Sequence, residues 1–378
     1  MKLFHLSDLH LGKRVNGFSM IEDQRYILDQ IINSVKEEAP EGILIAGDVY
    51  DKAIPSVEAV CLFDHFLTQM AECHTAVFII SGNHDSAERL GFGADLIRPT
   101  NIRISRSYKG EIKAEKLWDD YGPVNIYMLP FFKPAQVRLI YPDAEIENYT
   151  DAVREAVRHM EINEEERNVI LAHQFVTGAV RSDSEELSVG GSENVDVSVF
   201  DSFDYVALGH IHRPQKLMRD TVRYSGTPLK YSFSECHDKK TITVIEMREK
   251  GNIGIRMIPL VPLHDMREIK GTYEEVTALD SYKGTSTDDY LHITLTDEQD
   301  VLDAAEKLRI IYPNLMKLDY DNHRTRSAGE ITFSDDLEQK TPLELFSDFF
   351  EQQNGMEMSA EQKKYMENTI ESIWEEKK

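Results

Sequence analysis

An α/β fold built on a largely parallel sheet is what this 378-residue sequence predicts, and three patterns predict it. Five short apolar runs recur: Lys2-Leu3-Phe4-His5-Leu6, Gly42-Ile43-Leu44-Ile45-Ala46, Ala76-Val77-Phe78-Ile79-Ile80, Val169-Ile170-Leu171 and Tyr205-Val206-Ala207-Leu208. Runs of this length, rich in Ile and Val and closed by Gly or polar residues, suit buried strands. Helical apolar spacing separates the first three, and strand–helix–strand order implies parallel strands with crossover helices. Later in the chain the pattern turns to alternating strands.

In chain order, the first helix runs from Asp23 to Ala39, where Tyr26, Ile27, Ile31 and Val35 share a face. Pro55-Ser56 introduces a second, with Val57, Val60, Cys61, Phe63, Phe66, Leu67 and Met70 on its apolar side. Between Thr221 and Ile258, Thr241–Ile245 and Ile253–Ile258 read as strands of a second sheet packed against the first. Pro259 and Pro262 mark a boundary. Beyond it, strands at Met266–Gly271, Tyr290–Leu295 and Leu315–Tyr320 surround a helix from Gln299 to Ile311, a small α/β domain. Thr341-Pro342 opens a helix carrying Leu343, Leu345, Phe346, Phe349 and Phe350. A last, highly charged helix runs from Ser359 towards Trp374.

Composition is that of an ordinary globular chain, 41% hydrophobic and 29% charged. No segment approaches the roughly 20 apolar residues that span a bilayer, so no membrane association is expected. The opening residues lead straight into a candidate ligand motif, which a cleaved signal peptide would remove. Three cysteines, Cys61, Cys73 and Cys236, form no metal or redox pattern. Cys61 and Cys73 read as small buried thiols on a helix, and a reducing cytoplasm is the expected location. A net charge of -25 points away from a protein that coats nucleic acid with a basic surface. It does not exclude an enzyme acting on nucleic acid, because bound metals neutralise carboxylates and a partner can carry the basic surface.

Each of the five runs ends in residues that bind metals: Asp8-Leu9-His10, Gly47-Asp48-Val49-Tyr50-Asp51, Gly82-Asn83-His84-Asp85, Ala172-His173 and Gly209-His210-Ile211-His212. In open α/β sheets ligands gather at the carboxyl ends of strands. Phosphate esters resist attack by an anion, and two divalent ions about 3.5–4 Å apart overcome this by neutralising phosphate oxygens and acidifying a bound water. Asp8 and His10, one residue apart, face the same way on an extended strand end and suit one ion. Asp48 is the candidate bridge, since a carboxylate can give one oxygen to each ion. Asn83 offers an amide oxygen without charge, and His173, His210 and His212 complete the shells. Taken singly, these motifs are weak: Asp-x-His is common on surfaces, Gly-Asn-His-Asp could be a turn, and Gly-His-Ile-His a half-buried pair. All five in order, each after an apolar run, make coincidence a poor explanation. His5, His65, His74, His159, His237, His264, His292 and His323 lack that context and read as structural or surface residues.

The five motifs resemble those of the calcineurin-like metallophosphoesterase superfamily: Asp-x-His, Gly-Asp-x-x-Asp, Gly-Asn-His-Asp/Glu, His and Gly-His-x-His. The resemblance implies a two-sheet sandwich flanked by helices. It assigns Asp8, His10, Asp48 and His212 to one metal, and Asp48, Asn83, His173 and His210 to the other. It makes His84 a non-ligand that contacts the scissile phosphate, and Asp51 the acidic residue that orients His84 through a hydrogen bond. A closer resemblance, to the nuclease subunits of bacterial SbcCD complexes, covers nearly the whole chain. Met1–Gly12, Ser81–Asp85, Leu208–Gln215, Tyr224–Pro228 and Arg267–Gly271 carry it.

That family implies three parts: a nuclease domain over 1–262, a small capping domain that shapes DNA access over 263–335, and a helical partner-docking segment over 336–378. It implies two divalent ions, with Mn²⁺ preferred, and DNA as substrate. Its implied activities are 3′-to-5′ exonuclease on duplex ends and endonuclease on single strands and hairpins. The implied partner is an ABC-type ATPase with a long coiled coil, in a dimer of heterodimers that associates with the nucleoid. Because the chain has no Gly-x-x-x-x-Gly-Lys-Ser/Thr loop, any ATP dependence must come from that partner. Asp51 stands where some archaeal relatives carry a histidine, which tells against a two-histidine scheme. A free-standing phosphatase or cyclic-nucleotide phosphodiesterase would use the same metals, and a non-catalytic scaffold would keep the sandwich. The extra domain and complete ligand set weigh against both.

Overall fold

The structure, a computed structural model, describes residues 1–185, 193–323, 325, 342–354 and 356–375. The chain divides into two compact units, Met1–Met266 and Arg267–Lys378.

The first unit opens with β1 (Lys2–Leu6), α1 (Ile21–Glu38), β2 (Gly42–Ala46), α2 (Val57–Glu72), β3 (Ala76–Ile80) and β4 (Ile102–Ile104). There follow β5 (Glu115–Asp119), β6 (Gly122–Leu129), α3 (Tyr149–Arg158), β7 (Arg167–His173), β8 (Tyr205–Gly209), β9 (Gln215–Leu217) and β10 (Arg219–Tyr224). The hairpin of β11 (Thr241–Met247) and β12 (Ile253–Pro259) closes the unit. One six-stranded sheet has the order β12-β11-β1-β2-β3-β4 and the other β9-β10-β8-β7-β6-β5. The parallel core of each sheet is extended by antiparallel strands, β11 and β12 in one, β5 and β9 in the other.

This topology corrects two expectations. The hairpin at Thr241–Pro259 joins the first sheet, through the pairing of Phe4 with Val244, and not a second one. The five motif-bearing strands are also split, β1, β2 and β3 in one sheet and β7 and β8 in the other. Strand alternation carries no information about which edge a hairpin will join, since that depends on pairing at long sequence separation.

Period-two alternation explains the layers. Leu3, Leu44, Phe78 and Ile80 meet Ile126, Val169, Leu171, Tyr205 and Ala207 between the two sheets. Their neighbours Phe4, Ile43, Ile45, Val77 and Ile79 are equally buried on the opposite face, where α2 packs on β3 and α1 lies beside α2. On the outer face of the second sheet, Ile170, Ala172, Val206 and Leu208 pack with Ala152, Val153 and Ala156 of α3. The faces of α1 and α2 differ slightly from expectation. Ile27, Leu28, Ile31, Ile32 and Val35 are buried whereas Tyr26 is 40% exposed; on α2, Ala59, Leu62, Phe63, Phe66 and Met70 are buried whereas Val57 and Val60 are exposed. Cys61 is likewise exposed and Cys73 half-buried, so neither is the buried thiol expected.

In the second unit, β13 (Met266–Gly271), β14 (Tyr290–Leu295) and β15 (Leu315–Tyr320) form a three-stranded sheet in that order. α4 (Ala304–Ile311) begins later than Gln299, after Asp303 in the left-handed conformation. Leu291, Ile293, Leu295, Leu308, Tyr312 and Leu315 form its core. α5 (Pro342–Asn354) and α6 (Ala360–Glu375) pack on each other. Residues 326–341 and 376–378 of the expected capping and docking segments lie outside the described residues. Among the described residues no helix is long and apolar enough to cross a membrane.

Candidate metal centre

The carboxyl ends of β1, β2, β3, β7 and β8 meet at one mouth of the sandwich. Backbone hydrogen bonds tie the loops together: Asp8 N–H donates to the Gly47 carbonyl at 3.0 Å and His10 N–H to the Asp48 carbonyl at 2.9 Å. Asp8, His10, Asp48 and His210 all have positive φ (53°, 45°, 50° and 103°). Non-glycine residues reach this region only at a cost, and such strain collects where a side chain must be aimed. β1 stops at Leu6, so Asp8 and His10 do not share a face through strand pleating as expected; two left-handed turns aim them instead. Two glycines allow the loops to approach. A Cβ on Gly209 would lie 1.8 Å from the Ala46 carbonyl oxygen, and one on Gly82 would lie 2.1 Å from Asp48 Oδ1.

The site residues expected from sequence come together. Ligand atoms of Asp8, His10 and His212 lie within 4.8 Å of one another, as do those of Asp8, Asp48 and His173, and those of His10, Asp48 and His84. Asp48 sits at the centre: its Oδ2 is 3.3 Å from His173 Nε2, 3.7 Å from His10 Nε2 and 3.9 Å from His84 Nε2. Asn83 Oδ1 lies 2.9 Å from His173 Nε2 and 3.0 Å from His210 Nδ1. Hydrogen bonds hold these groups in place. His210 N–H donates to Asp8, His84 N–H donates to Asp48 Oδ1, and His173 Nδ1 donates to the Ala46 carbonyl, which turns Nε2 into the site. Asp8, His10, Asp48, His173, His210 and His212 are buried, while Asn83 and His84 are half-exposed at the rim.

The donor set fits a pair of cations. Burial holds His10 and His212 well below the usual imidazole range and His210 at about 3, so all three are neutral with free lone pairs. His10 Nε2 and His212 Nε2 face each other at 3.0 Å. His10 Nδ1 and His210 Nε2 are buried without a hydrogen-bond partner. Burial lifts Asp8 to about 7, although His173 opposes the rise. At His173 burial is outweighed by the charge of Asp48, which raises it to about 9. The same carboxylates would draw in any cation that displaced this proton.

Asp51 departs from its expected role. Its backbone carbonyl accepts from His84 Nδ1 at 2.9 Å, while its carboxylate turns to Lys13 Nζ at 2.9 Å and lies 3.8 Å from His10 Nδ1. Sequence reasoning also missed a role for Asp85, although the residue closes one of the motifs. Its carboxylate accepts from the amides of Val49, Tyr50 and Gly82, stapling the Asp48 loop to the Asn83 loop. Burial, then the charge of Asp48, pushes Asp85 up to about 6. Ser184, Glu185, Glu235 and Lys240 gather behind His212, and no periodicity or motif in the sequence points to them.

A family model described as calcineurin-like phosphoesterase matches residues 1–214. The SbcD_C model, described as Type 5 capsule protein repressor C-terminal domain, matches residues 262–354. The chain is 34% identical over 345 residues to a Staphylococcus epidermidis protein named as the D component of the nuclease SbcCD, across 89% of this chain and 90% of that relative. Among solved structures, a dimetal phosphatase from Danio rerio is 11% identical, with 69% of this chain and 96% of that chain covered and a TM-score of 0.42. A Thermus thermophilus protein is also 11% identical, with coverage of 68% and 98% and a TM-score of 0.38. The match over residues 1–214 sets the class, a calcineurin-like metallophosphoesterase. Within that class, by its likeness along nearly the full length of a relative, the chain belongs to the SbcD family of nuclease subunits.

Proposed function

We propose that this chain is the two-metal DNA nuclease subunit of an ATPase-coupled complex that processes DNA ends. The observation that supports this best is the convergence of six further ligand-type side chains around Asp48, with His84 at the rim, in a chain of this family. On this reading Asp8, His10, Asp48 and His212 hold one ion, and Asp48, Asn83, His173 and His210 hold the other. When bound, the ions neutralise non-bridging phosphate oxygens and acidify a water. A mixed nitrogen and oxygen donor set accommodates Mn²⁺, the metal we propose.

The residues of the chain supply position and proton control. Because a carbonyl can only accept, the Asp51 carbonyl keeps a proton on His84 Nδ1 and points Nε2 at the mouth. His84 then contacts the scissile phosphate through Nε2, steadying its charge or, as imidazolium, giving a proton to the leaving oxygen. Asp85 keeps the Asp48 and Asn83 loops in register while this happens. The proposed substrate range is 3′-to-5′ cleavage at duplex ends and endonucleolytic cleavage of single strands and hairpins.

Three parts share the work on this reading: a nuclease domain at 1–262, a capping domain at 263–335 that shapes DNA access, and a docking segment at 336–378. The proposed docking partner is an ABC-type ATPase with a long coiled coil, in a dimer of heterodimers working in the cytoplasm on nucleoid DNA. Phe346 and Phe350 of α5, with Met358, Gln362, Tyr365 and Met366, line an apolar groove of about 330 Å³ suited to a partner helix. A chain matched over 262–354 by a second family model has more than a free-standing phosphatase requires. The test is a metal-dependent digestion assay on linear duplex, single-stranded and hairpin DNA, with a generic phosphodiester as control, with and without the ATPase. Cleavage of the generic ester alone would overturn the assignment.

A further inference from the structure

His212 is gripped from behind by consecutive residues of one segment. Its backbone N–H donates to Glu185 Oε1 at 2.6 Å, and its ring Nδ1 lies 2.5 Å from Ser184 Oγ. The same Ser184 oxygen lies 2.5 Å from Glu235 Oε1. Glu235 is fully buried and is held ionised by Lys240, whose Nζ reaches its Oε2 at 2.5 Å and also donates to Thr227 Oγ1 and to the His212 carbonyl. This polar cluster lies outside the candidate metal centre, and none of its side chains is one of the expected ligands.

Counting protons decides what the cluster does. A carboxylate only accepts, so the 2.5 Å contact with Glu235 takes the one hydroxyl proton of Ser184. The Ser184 oxygen is then left with lone pairs towards His212, and the 2.5 Å contact there requires His212 to carry its proton on Nδ1. Nε2 is thereby the bare lone pair, and it accepts at 3.0 Å from His10, which carries its own proton on Nε2 in the metal-free chain. In the opposite tautomer two lone pairs would meet behind the ring, and the His212 nitrogen that faces the site would carry a proton in place of its lone pair.

We propose that Ser184, oriented by the buried Glu235–Lys240 pair, is a positioning residue that selects the Nδ1–H tautomer of His212 and so prepares Nε2 as a metal ligand. The inference rests on the proposed two-metal reading only for the purpose the tautomer serves. The orientation itself is a property of the metal-free chain. Partners of this kind behind a ligating imidazole typically govern metal affinity by about 10- to 100-fold.

The test uses full-length protein selectively ¹⁵N-labelled at histidine and stripped of metal, with the His212 signals assigned by their loss in His212→Asn. Long-range ¹H–¹⁵N spectra should show the Nδ1–H form of His212 in the parent chain. Ser184→Ala should give a mixture or the Nε2–H form, and Ser184→Thr, which keeps the hydroxyl, should restore Nδ1–H. Titration with Mn²⁺ alone should show one of two sites weakened about 10- to 100-fold in Ser184→Ala and restored in Ser184→Thr. If Ser184→Ala does not fold, Glu235→Gln, which replaces the ionised acceptor, should move the tautomer in the same direction. An Nε2–H form in the parent chain, or an Nδ1–H form that survives both Ser184→Ala and Glu235→Gln, would overturn the proposal. Because the spectra are taken without metal or DNA, this failure is separate from failure of the nuclease assignment, which the digestion assay reads.

Discussion

His84 Nδ1 lies 2.9 Å from the backbone carbonyl oxygen of Asp51, while the Asp51 carboxylate is 2.9 Å from Lys13 Nζ. A backbone acceptor survives a change of side chain. Asp51→Asn should therefore leave His84 oriented and lower turnover much less than His84→Ala, which should lower it by about 10²- to 10⁴-fold. Steady-state cleavage of a single-stranded oligonucleotide under saturating Mn²⁺ measures both. An equal or larger loss in Asp51→Asn would mean that its carboxylate, and not its carbonyl, acts on the site.

Asp48 is shared by three imidazoles, with His173, His10 and His84 all within 4 Å. Asp48→Ala should cost about 10³-fold or more in hydrolysis while the sandwich stays folded. His210→Ala should lose one ion and His84→Ala neither. Elemental analysis of metal-loaded protein counts the ions, and loss of one in His84→Ala would make His84 a ligand.

Close approach at Gly209 makes a stability prediction independent of catalysis. A methyl there would overlap the Ala46 carbonyl oxygen at 1.8 Å and press on His173 Nδ1 at 2.8 Å. Gly209→Ala should destabilise the chelator-treated protein by about 1–3 kcal/mol or more, read from urea unfolding. Gly254→Ala, whose methyl would meet nothing nearer than Glu246 at 3.7 Å, is the control and should change little.

Glu235 provides a pH signature. Burial works against its ionised form, but the charge of Lys240 prevails and holds the carboxyl at about 2, below its ordinary 4.5. A depressed folded value means that this stabilisation is complete above about pH 4.5 and is lost as pH falls from there towards 2. The parent chain should therefore lose on the order of 3 kcal/mol across that window through this group. Glu235→Gln should show a shallower fall, measured by urea unfolding of metal-free protein at stepped pH. Parallel pH profiles for the two chains would refute the depressed value.

The groove between α5 and α6 carries the partner prediction. Truncation after Lys340 should leave metal-dependent cleavage of simple substrates within about twofold while abolishing ATPase association and ATP-dependent duplex digestion; the twofold bound reflects the usual small effect of changes remote from a site. Co-purification of the shortened chain with the ATPase at unchanged affinity would remove α5 and α6 as the docking element.

Much of the candidate site was legible because each ligand-type residue follows a short continuous apolar run, a local property that marks a strand buried on both faces. Asp8, His10, Asp48, Asn83, His84, His173, His210 and His212 could all be named from short motifs. The strands Met266–Gly271, Tyr290–Leu295 and Leu315–Tyr320 lie where the pattern placed them. The sheet that a strand joins was not legible. The Thr241–Pro259 hairpin adds to the strand at Lys2–Leu6 across more than two hundred residues, and hydrophobic alternation is the same on either edge.

The sequence by itself determined the kinds of atom available for metal binding and the family, because both reside in short contiguous motifs. Tertiary structure alone decided how those atoms are aimed. Left-handed turns, not strand pleating, bring Asp8 and His10 to the mouth. Asp51 meets His84 through its carbonyl, Asp85 staples two loops by their amides, and Ser184 reaches His212 from a segment without periodicity. The physical reason is common to all four. Apolar burial repeats along a chain and can be read locally, whereas a directional hydrogen bond depends on angles and distances that exist only after distant segments have packed.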